Sequence, residues 1–196
     1  MRRLPVALWI MLWVSVLPAG DYAAKVVKVQ PVESYPARAS LGAVTIAADP
    51  YSTDKKTSAA FDIKDLNSRG YFPIHIIIRN ESQSFLTVRT RDVILITANG
   101  QHLYSTPATV VVEDIFGSSS TKAGSPLSDF THKDISNRSV DPGMVIDGFL
   151  FFYNPDRKKN IFEGSTLFVP KLEEEGTRKT VGPFSIPLDP ALTPSK

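Results

Sequence analysis

The chain has 196 residues, with 22 lysine and arginine residues against 20 aspartate and glutamate residues, and it contains no cysteine. Its length predicts one domain with a hydrophobic core, and a content of 42% hydrophobic and 21% charged residues is typical of a globular chain rather than a disordered one. The absence of cysteine excludes a disulfide framework, thiolate metal ligands and a cysteine nucleophile.

The first twenty residues are typical of a targeting segment. Arg2 and Arg3 precede an uncharged, mostly apolar stretch, residues 4–20, that ends in small residues. This order matches the basic and apolar regions of a secretory signal peptide. The alternative is an uncleaved N-terminal anchor, whose arginines would face the cytoplasm. We therefore predict an exported protein, periplasmic or extracellular, that touches a membrane only through residues 1–20 if they stay uncleaved.

The rest of the chain is electrically neutral. Arg2 and Arg3 are the only charged residues among the first twenty, so 20 basic and 20 acidic residues remain after them. A neutral domain lacks the overall field that draws a protein to nucleic acid. We therefore expect no nucleic-acid partner.

The domain proper is expected over residues 41–188. Residues 21–40 predict a linker or a peripheral edge strand, because the prolines at positions 31 and 36 cannot donate to a strand ladder. Residues 189–196 predict a proline-containing C-terminal tail.

Two strands and a short helix are predicted in the first part of the domain. Apolar side chains alternate over residues 44–48, and Asp49-Pro50-Tyr51 ends that strand. Ser52 or Thr53 is suited to cap a short helix that runs through Phe61. The β-branched run over residues 71–79 is the clearest strand, and its alternation places His75 on the solvent-side face.

A hairpin is predicted around Asn99-Gly100. Apolar runs over residues 85–89 and 92–98 come before this pair, and residues 101–104 follow it. Asn-Gly between apolar runs is typical of a type I′ turn, which needs a positive φ at both central residues.

The stretch after the hairpin predicts one helix and one loop. Pro107 before residues 108–116 and Gly117 after them favour a short helix, although three consecutive valines leave a strand as the alternative. Residues 117–140 are rich in serine and glycine and predict a long surface loop, least ordered over 117–133, with Leu127 and Phe130 as its few anchors.

The last part of the domain predicts a central strand and a closing hairpin. Val140-Asp141-Pro142-Gly143 is a turn sequence, and both faces of the following strand, residues 144–153, are largely apolar. Residues 166–172 and 180–188 predict a hairpin with the charged tip 173–178, and their prolines place it near a sheet edge.

Seven to nine short strands with only one or two short helices predict an all-β fold, a two-sheet sandwich. The Asp-Pro-Tyr strand end, the Ile-Ile-Ile-Arg-Asn strand, the Asn-Gly hairpin, the Asp-Pro-Gly turn and Gly148-Phe149-Leu150-Phe151-Phe152 follow in that order. In this order the chain resembles the uncharacterised immunoglobulin-like β-sandwich domains that are exported to bacterial cell envelopes. The resemblance covers about residues 41–188 and implies a fold and an envelope setting, without any catalytic residue.

The sequence predicts no catalytic, cofactor-binding or metal-binding residue. The spacing of His75, His102 and His132 matches no zinc motif, and Gly-x-Ser-x-Gly, P-loop and Gly-x-Gly-x-x-Gly patterns are missing. Three aspartates between positions 54 and 65 could bind calcium, but they lack EF-hand spacing, so a solvated polar loop is favoured. We therefore expect a protein that is not an enzyme and has no cofactor.

Two charged runs have simple structural interpretations. Glu173-Glu174-Glu175 is interpreted as a charged turn that protects a hairpin edge. Arg157-Lys158-Lys159 is interpreted as a solvated turn, with a weak polyanion contact as the alternative.

The functional hypothesis is an exported module that binds another envelope protein through its loops or a sheet edge. The alternative is a carbohydrate-binding module, which needs exposed aromatic side chains. Its candidates outside the predicted core are Tyr51, Tyr71, Tyr104 and Phe130. A hydrolase would need a pocket with convergent polar groups.

Overall fold

The structure is a computed structural model that describes residues 22–117, 124–136, 138–157 and 161–192. The predicted targeting segment lies outside the described residues. The described residues form two antiparallel sheets of eight and four strands, together with four α-helices and two 3-10 helices. The all-β prediction with two sheets is confirmed at this level.

The larger sheet contains eight strands. In spatial order they are β1 (Arg38–Leu41), β2 (Val44–Pro50), β3 (Tyr71–Asn80), β8 (Val145–Tyr153), β6 (His102–Thr106), β5 (Ile94–Ile96), β9 (Thr166–Val169) and β12 (Phe184–Pro187). The sheet curls until β1 and β12 lie side by side, so that it is barrel-like. The strand predicted over residues 144–153 is central, since β8 lies between β3 and β6.

The smaller sheet contains four short strands. In spatial order they are β11 (Thr180–Val181), β10 (Leu172–Glu174), β4 (Leu86–Val88) and β7 (Ser139–Val140). Its apolar side chains, such as Leu86, Val88 and Leu172, are fully buried against the larger sheet.

The strand number is twelve among the described residues, so the prediction of seven to nine is wrong. The main reason is that the closing hairpin bends. Its first arm divides into β9 and β10, and its second arm divides into β11 and β12. An added Cβ on Gly182 would lie 2.6 Å from the Pro170 carbonyl oxygen, so the two arms pass against each other at the bend. One hairpin therefore belongs to both sheets.

The helices lie in connections between strands. They are α1 (Asp54–Phe61), α2 (Ala108–Phe116), α3 (Gly124–Lys133) and α4 (Asp189–Leu192), with 3-10 turns at Val32–Ser34 and Thr90–Asp92. Thr53 caps α1 by accepting a hydrogen bond from the Lys56 amide at 3.2 Å. The predictions of α1 and α2 are confirmed, but the prediction of only one or two helices is wrong.

The prediction of a surface loop over residues 117–140 is also wrong for its second part. Residues 124–133 form α3, and Phe130 is fully buried, whereas Leu127 is 37% exposed. The ring of Phe130 lies 4.5 Å from that of Phe61 and 5.4 Å from that of Phe151. A contact between elements distant in sequence therefore holds this helix.

The Asn99-Gly100 hairpin is confirmed, but its turn type is not. Gly100 has φ +79°, whereas the φ of Asn99 is not positive. The Gly100 amide donates to the Thr97 carbonyl at 2.8 Å, and the Thr97 amide donates to Gln101 at 2.9 Å. The longer loop needs only one residue in the left-handed region, which Gly100 supplies.

Two apolar clusters stabilise the molecule on opposite faces of the larger sheet. The inner core lies between the sheets and contains Phe72, Ile74, Ile76, Leu95, Phe152, Leu167 and Phe184 among its members. The outer core lies under the helices and contains Phe61, Tyr71, Val111, Phe130, Phe149 and Phe151 among its members. The larger sheet is therefore apolar on both faces at its centre.

Candidate functional site

The outer face of the larger sheet is covered over only part of its width. Helices α1, α2 and α3 pack on its β3 and β8 portion through the outer core. The outward side chains of β6, β5, β9 and β12 belong to none of the buried clusters. We call this second portion the uncovered face, and its side chains are Ile94, Ile96, His102, Tyr104, Thr166, Phe168, Ser185 and Pro187.

Strand register arranges the uncovered face in two rows. The first row contains Tyr104 of β6, Ile94 of β5, Phe168 of β9 and Ser185 of β12, each paired with the next across adjacent strands. The second row contains His102, Ile96, Thr166 and Pro187 in the same strand order. Because side chains alternate along a strand, both rows point away from the inner core.

The first row continues with tyrosines. The β6–β8 ladder pairs Ser105 with Phe152, and the next step of this register places Tyr104 opposite Tyr153. Tyr104 is 60% exposed and Tyr153 is 38% exposed. The ring of Tyr153 lies 5.0 Å from that of Tyr71, whose hydroxyl donates to Asp114 of α2 at 3.1 Å. The row therefore runs from the edge of the helical layer across the uncovered face.

The uncovered face carries no lysine, arginine, aspartate or glutamate. Its polar groups are the side chains of His102, Thr166 and Ser185 and the hydroxyl of Tyr104. An apolar surface with aromatic residues and without formal charge is the composition found at the centre of protein–protein interfaces.

The smaller sheet has the opposite composition on its outward face. A row there contains Ser139, Thr87, Glu173 and Thr180. Glu173 pairs with Arg89 at 2.6 Å and with Lys171 at 2.9 Å. The hydrogen bond from Lys171 and the charge of Arg89 lower the pKa of Glu173. This face is charged and internally paired, but Glu173 and Glu174 lie in β10, so the interpretation of Glu173-Glu174-Glu175 as a turn is wrong for these two residues.

A cleft of about 790 Å³ lies beside α3. Its walls are residues 24–27 and one side of α3, and its floor is Asp147-Gly148-Phe149 of β8. An added Cβ on Gly148 would lie 2.8 Å from both the Ile135 Cβ and the Lys133 carbonyl oxygen. Gly148 thus permits the close approach of the α3 end to β8.

The polar groups of this cleft mostly serve its own walls. Lys133 donates to Asp129 at 2.7 Å and to the Ala60 carbonyl at 2.6 Å. The Tyr22 hydroxyl donates to Asp129 at 2.6 Å, and burial together with that carboxylate raises the pKa of Tyr22. These contacts tie the N-terminal segment to α1 and α3, so the network is explained by packing.

His75 lies beside Asp147 of the cleft floor, and its predicted place on a solvent-side face is wrong. It is 1% exposed, and the rings of Tyr51 and Phe149 in the outer core pack against it. Its Nε2 is 2.8 Å from an Asp147 carboxylate oxygen, and its ring stacks on Phe149 at 4.7 Å. Asp147 is 40% exposed at the cleft floor. The pair joins a buried ring to a solvent-facing carboxylate.

The other predicted sites are dispersed. His102 is exposed on β6, and His132 is exposed on α3. Asp54 accepts from the Asn67 amide, Asp62 pairs with Lys25, and Asp65 pairs with Arg69. The described residues contain no group of three or more acidic or histidine side chains suited to a metal ion. Positions 158 and 159 of the basic run lie outside the described residues.

Of the four aromatic candidates, only Tyr104 is exposed. Tyr51, Tyr71 and Phe130 are buried in the outer core. Sequence reasoning missed two aromatic members of this row, the half-buried Phe168 and the exposed Tyr153. The alternation on β5, β6 and β9 was the available signal, but it does not say which face lacks a covering layer.

Within the described ranges, no helix is long and apolar enough to cross a membrane.

Comparisons with known proteins identify no family. No protein-family model and no curated protein match the chain. The solved structure of the ycdA protein of Bacillus subtilis, described as a candidate lipoprotein, has a TM-score of 0.43 and 14% identity over 79% of this chain. This chain spans 39% of the ycdA chain.

Two further solved structures are similar at the same level. The yjhA protein of Bacillus subtilis has a TM-score of 0.39 and 12% identity, covering 69% of this chain and 78% of its own. A functionally unknown protein from Listeria monocytogenes has a TM-score of 0.41 and 10% identity, covering 76% of this chain and 79% of its own.

Proposed function

We propose that this chain is a non-enzymatic exported module that binds another protein of the cell envelope through the uncovered face. The observation that carries the proposal is an uncharged, mostly apolar sheet surface around Tyr104, Ile94 and Phe168, which none of the described helices covers. Tyrosine is enriched at binding hot spots because it offers a large apolar area with a polar tip.

The proposal is tested by photo-crosslinking in intact cells. A photoreactive amino acid at position 104 should capture one specific protein, whereas the same group at exposed Thr180 on the charged face should not. Tyr104→Arg should abolish capture from a reporter at position 168 while leaving the melting temperature nearly unchanged. Thr180→Arg is the matched control. Equal capture from both faces, or capture that survives Tyr104→Arg, would contradict the proposal.

The second candidate function is carbohydrate binding at the same face. It is favoured by the row of Tyr153 and Tyr104, since exposed rings can stack on sugars. Sugar recognition also needs polar groups that fix the hydroxyls of the sugar, and this face supplies only three hydroxyl groups, on Tyr104, Thr166 and Ser185, and one imidazole. A glycan array compares the native protein with Tyr104→Ala, and binding lost in the variant would favour this candidate.

Export and domain type belong to the same proposal. Residues 1–20 would direct export, and N-terminal sequencing of the protein from the envelope fraction tests whether they are removed.

The two antiparallel sheets around one core support a distant relation to immunoglobulin-like sandwiches, and the curled eight-stranded sheet is the main departure from that architecture.

A further inference from the structure

We infer that the partner element received by the uncovered face is an amphipathic helix. This inference rests on the proposed function and names the kind of partner.

The uncovered face offers few hydrogen-bonding groups to a partner. Its polar groups are His102, Thr166, Ser185 and the Tyr104 hydroxyl, and the backbone groups between β6, β5, β9 and β12 are engaged in the ladders that join these strands. An extended segment laid on this face would lose water from backbone groups that find no new partners. A helix satisfies its own backbone hydrogen bonds, so it can present apolar side chains at no such cost.

The size of the face suits one helix. The distance from β6 to β12 spans three strand spacings, about 14 Å, and the two rows lie about 7 Å apart. With its side chains a helix is about 10–12 Å wide, and about three turns span the face.

The covered half of the same sheet already receives helices. On that half α1, α2 and α3 bury Phe61, Val111 and Phe130 against outward side chains of β3 and β8. Tyr71, at the start of the tyrosine row, is hydrogen-bonded to Asp114 of α2, so the helical layer reaches the border of the uncovered face. A partner helix would continue this layer with the same side-chain chemistry.

The test uses the protein as purified from the envelope and a synthetic helical peptide as the probe. The peptide carries leucines at i, i+3, i+4 and i+7, lysine, glutamate and alanine elsewhere, and a benzophenone group on the leucine stripe. The control peptide has the same composition with the stripe broken. We expect the striped peptide to bind at least about tenfold more tightly and to label residues 94–104 or 166–168.

Variants sharpen the test. Tyr104→Arg should lower the affinity of the protein for the striped peptide at least about tenfold, and Thr180→Arg should leave that affinity unchanged. Equal affinity for both peptides, or labelling of the charged face, overturns the inference. Self-association that disappears in Tyr104→Arg overturns it in favour of a second copy. If crosslinking at position 104 captures a protein in cells but the striped peptide does not bind, the helix inference fails while the proposed function stands.

Discussion

At the scale of single residues, buried polar side chains hold loops that local sequence would leave free. Asn80 is fully buried at the end of β3, and its amide donates to the carbonyls of Ser84 at 2.7 Å and Val140 at 2.9 Å. Its oxygen accepts from the Ser82 amide at 3.0 Å. One side chain thus joins a turn to a strand of the smaller sheet.

Asn80→Ala should destabilise the protein by about 1–3 kcal/mol, because the buried Val140 carbonyl and the partly buried Ser84 carbonyl lose their donor. Urea unfolding measures the change. Asn99→Ala in the exposed hairpin is the control, and it should cost well under about 1 kcal/mol. Equal losses for the two variants would show that the Asn80 hydrogen bonds contribute little.

Tyr71 should make stability fall at alkaline pH. Burial, and then the hydrogen bond to the Asp114 carboxylate, raise the pKa of Tyr71 to about 12, above its ordinary value of about 10. The folded state therefore holds this proton more tightly than the unfolded state. Its contribution is complete below about pH 10 and is lost as the pH rises towards 12. The stability difference between wild type and Tyr71→Phe should shrink over this interval in thermal unfolding, and a constant difference would contradict the assignment.

Gly148 should be sensitive to a single methyl group. Gly148→Ala places a Cβ 2.8 Å from Ile135 and from the Lys133 carbonyl, and such overpacking costs about 1–3 kcal/mol. Gly124→Ala in α3 meets no atom within 4 Å and should be neutral or slightly stabilising. Chemical denaturation compares the two. A tolerated Gly148→Ala would mean that the α3 end shifts freely.

At the scale of elements, α3 should behave as part of the core. Phe130 is fully buried between Phe61 and Phe151, so Phe130→Ala should cost about 3–5 kcal/mol. Leu127 is 37% exposed, and Leu127→Ala should cost much less. The two melting temperatures measure this contrast. A small effect of Phe130→Ala would restore the interpretation of this segment as a loop.

Elements set by local chemistry could be predicted from the sequence. The β-branched run of β3, the Thr53 cap of α1 and the Asn99-Gly100 hairpin each carry their own signal within a few residues. Helix α3 could not be predicted, because its serine and glycine content favours a loop and its anchor is a contact with Phe61. The burial of His75 was missed for a similar reason, because alternation along β3 does not show that the ring of Tyr51 packs against this side chain.

The candidate site was only partly predictable. Tyr104 stood out as an aromatic residue after a turn, but its row needs the pairing of β5 with β9, which are distant in the chain. The partial exposure of Phe168 depends on where the helical layer ends. These are properties of topology, and no window of residues contains them.

At the scale of the whole molecule, the two sheets present different surfaces to solvent. The smaller sheet is charged and internally paired, whereas the uncovered face is apolar. We expect Phe168→Glu combined with Tyr104→Arg to raise the ammonium sulfate concentration at which the protein precipitates, because apolar contact between molecules is removed. The same charges placed at Thr87 and Thr180 should change it little, and an equal rise would locate the association elsewhere.

The bent hairpin also determines how the molecule unfolds. Its arms contribute β9 and β12 to the larger sheet and β10 and β11 to the smaller sheet. Because the same two arms pair in both sheets, unfolding of one sheet disturbs the strand pairs of the other. Neither sheet can melt as a separate cooperative unit. The amides of Leu172 and Phe184 should therefore exchange with solvent deuterium through the same global opening, with equal free energies, although they belong to different sheets.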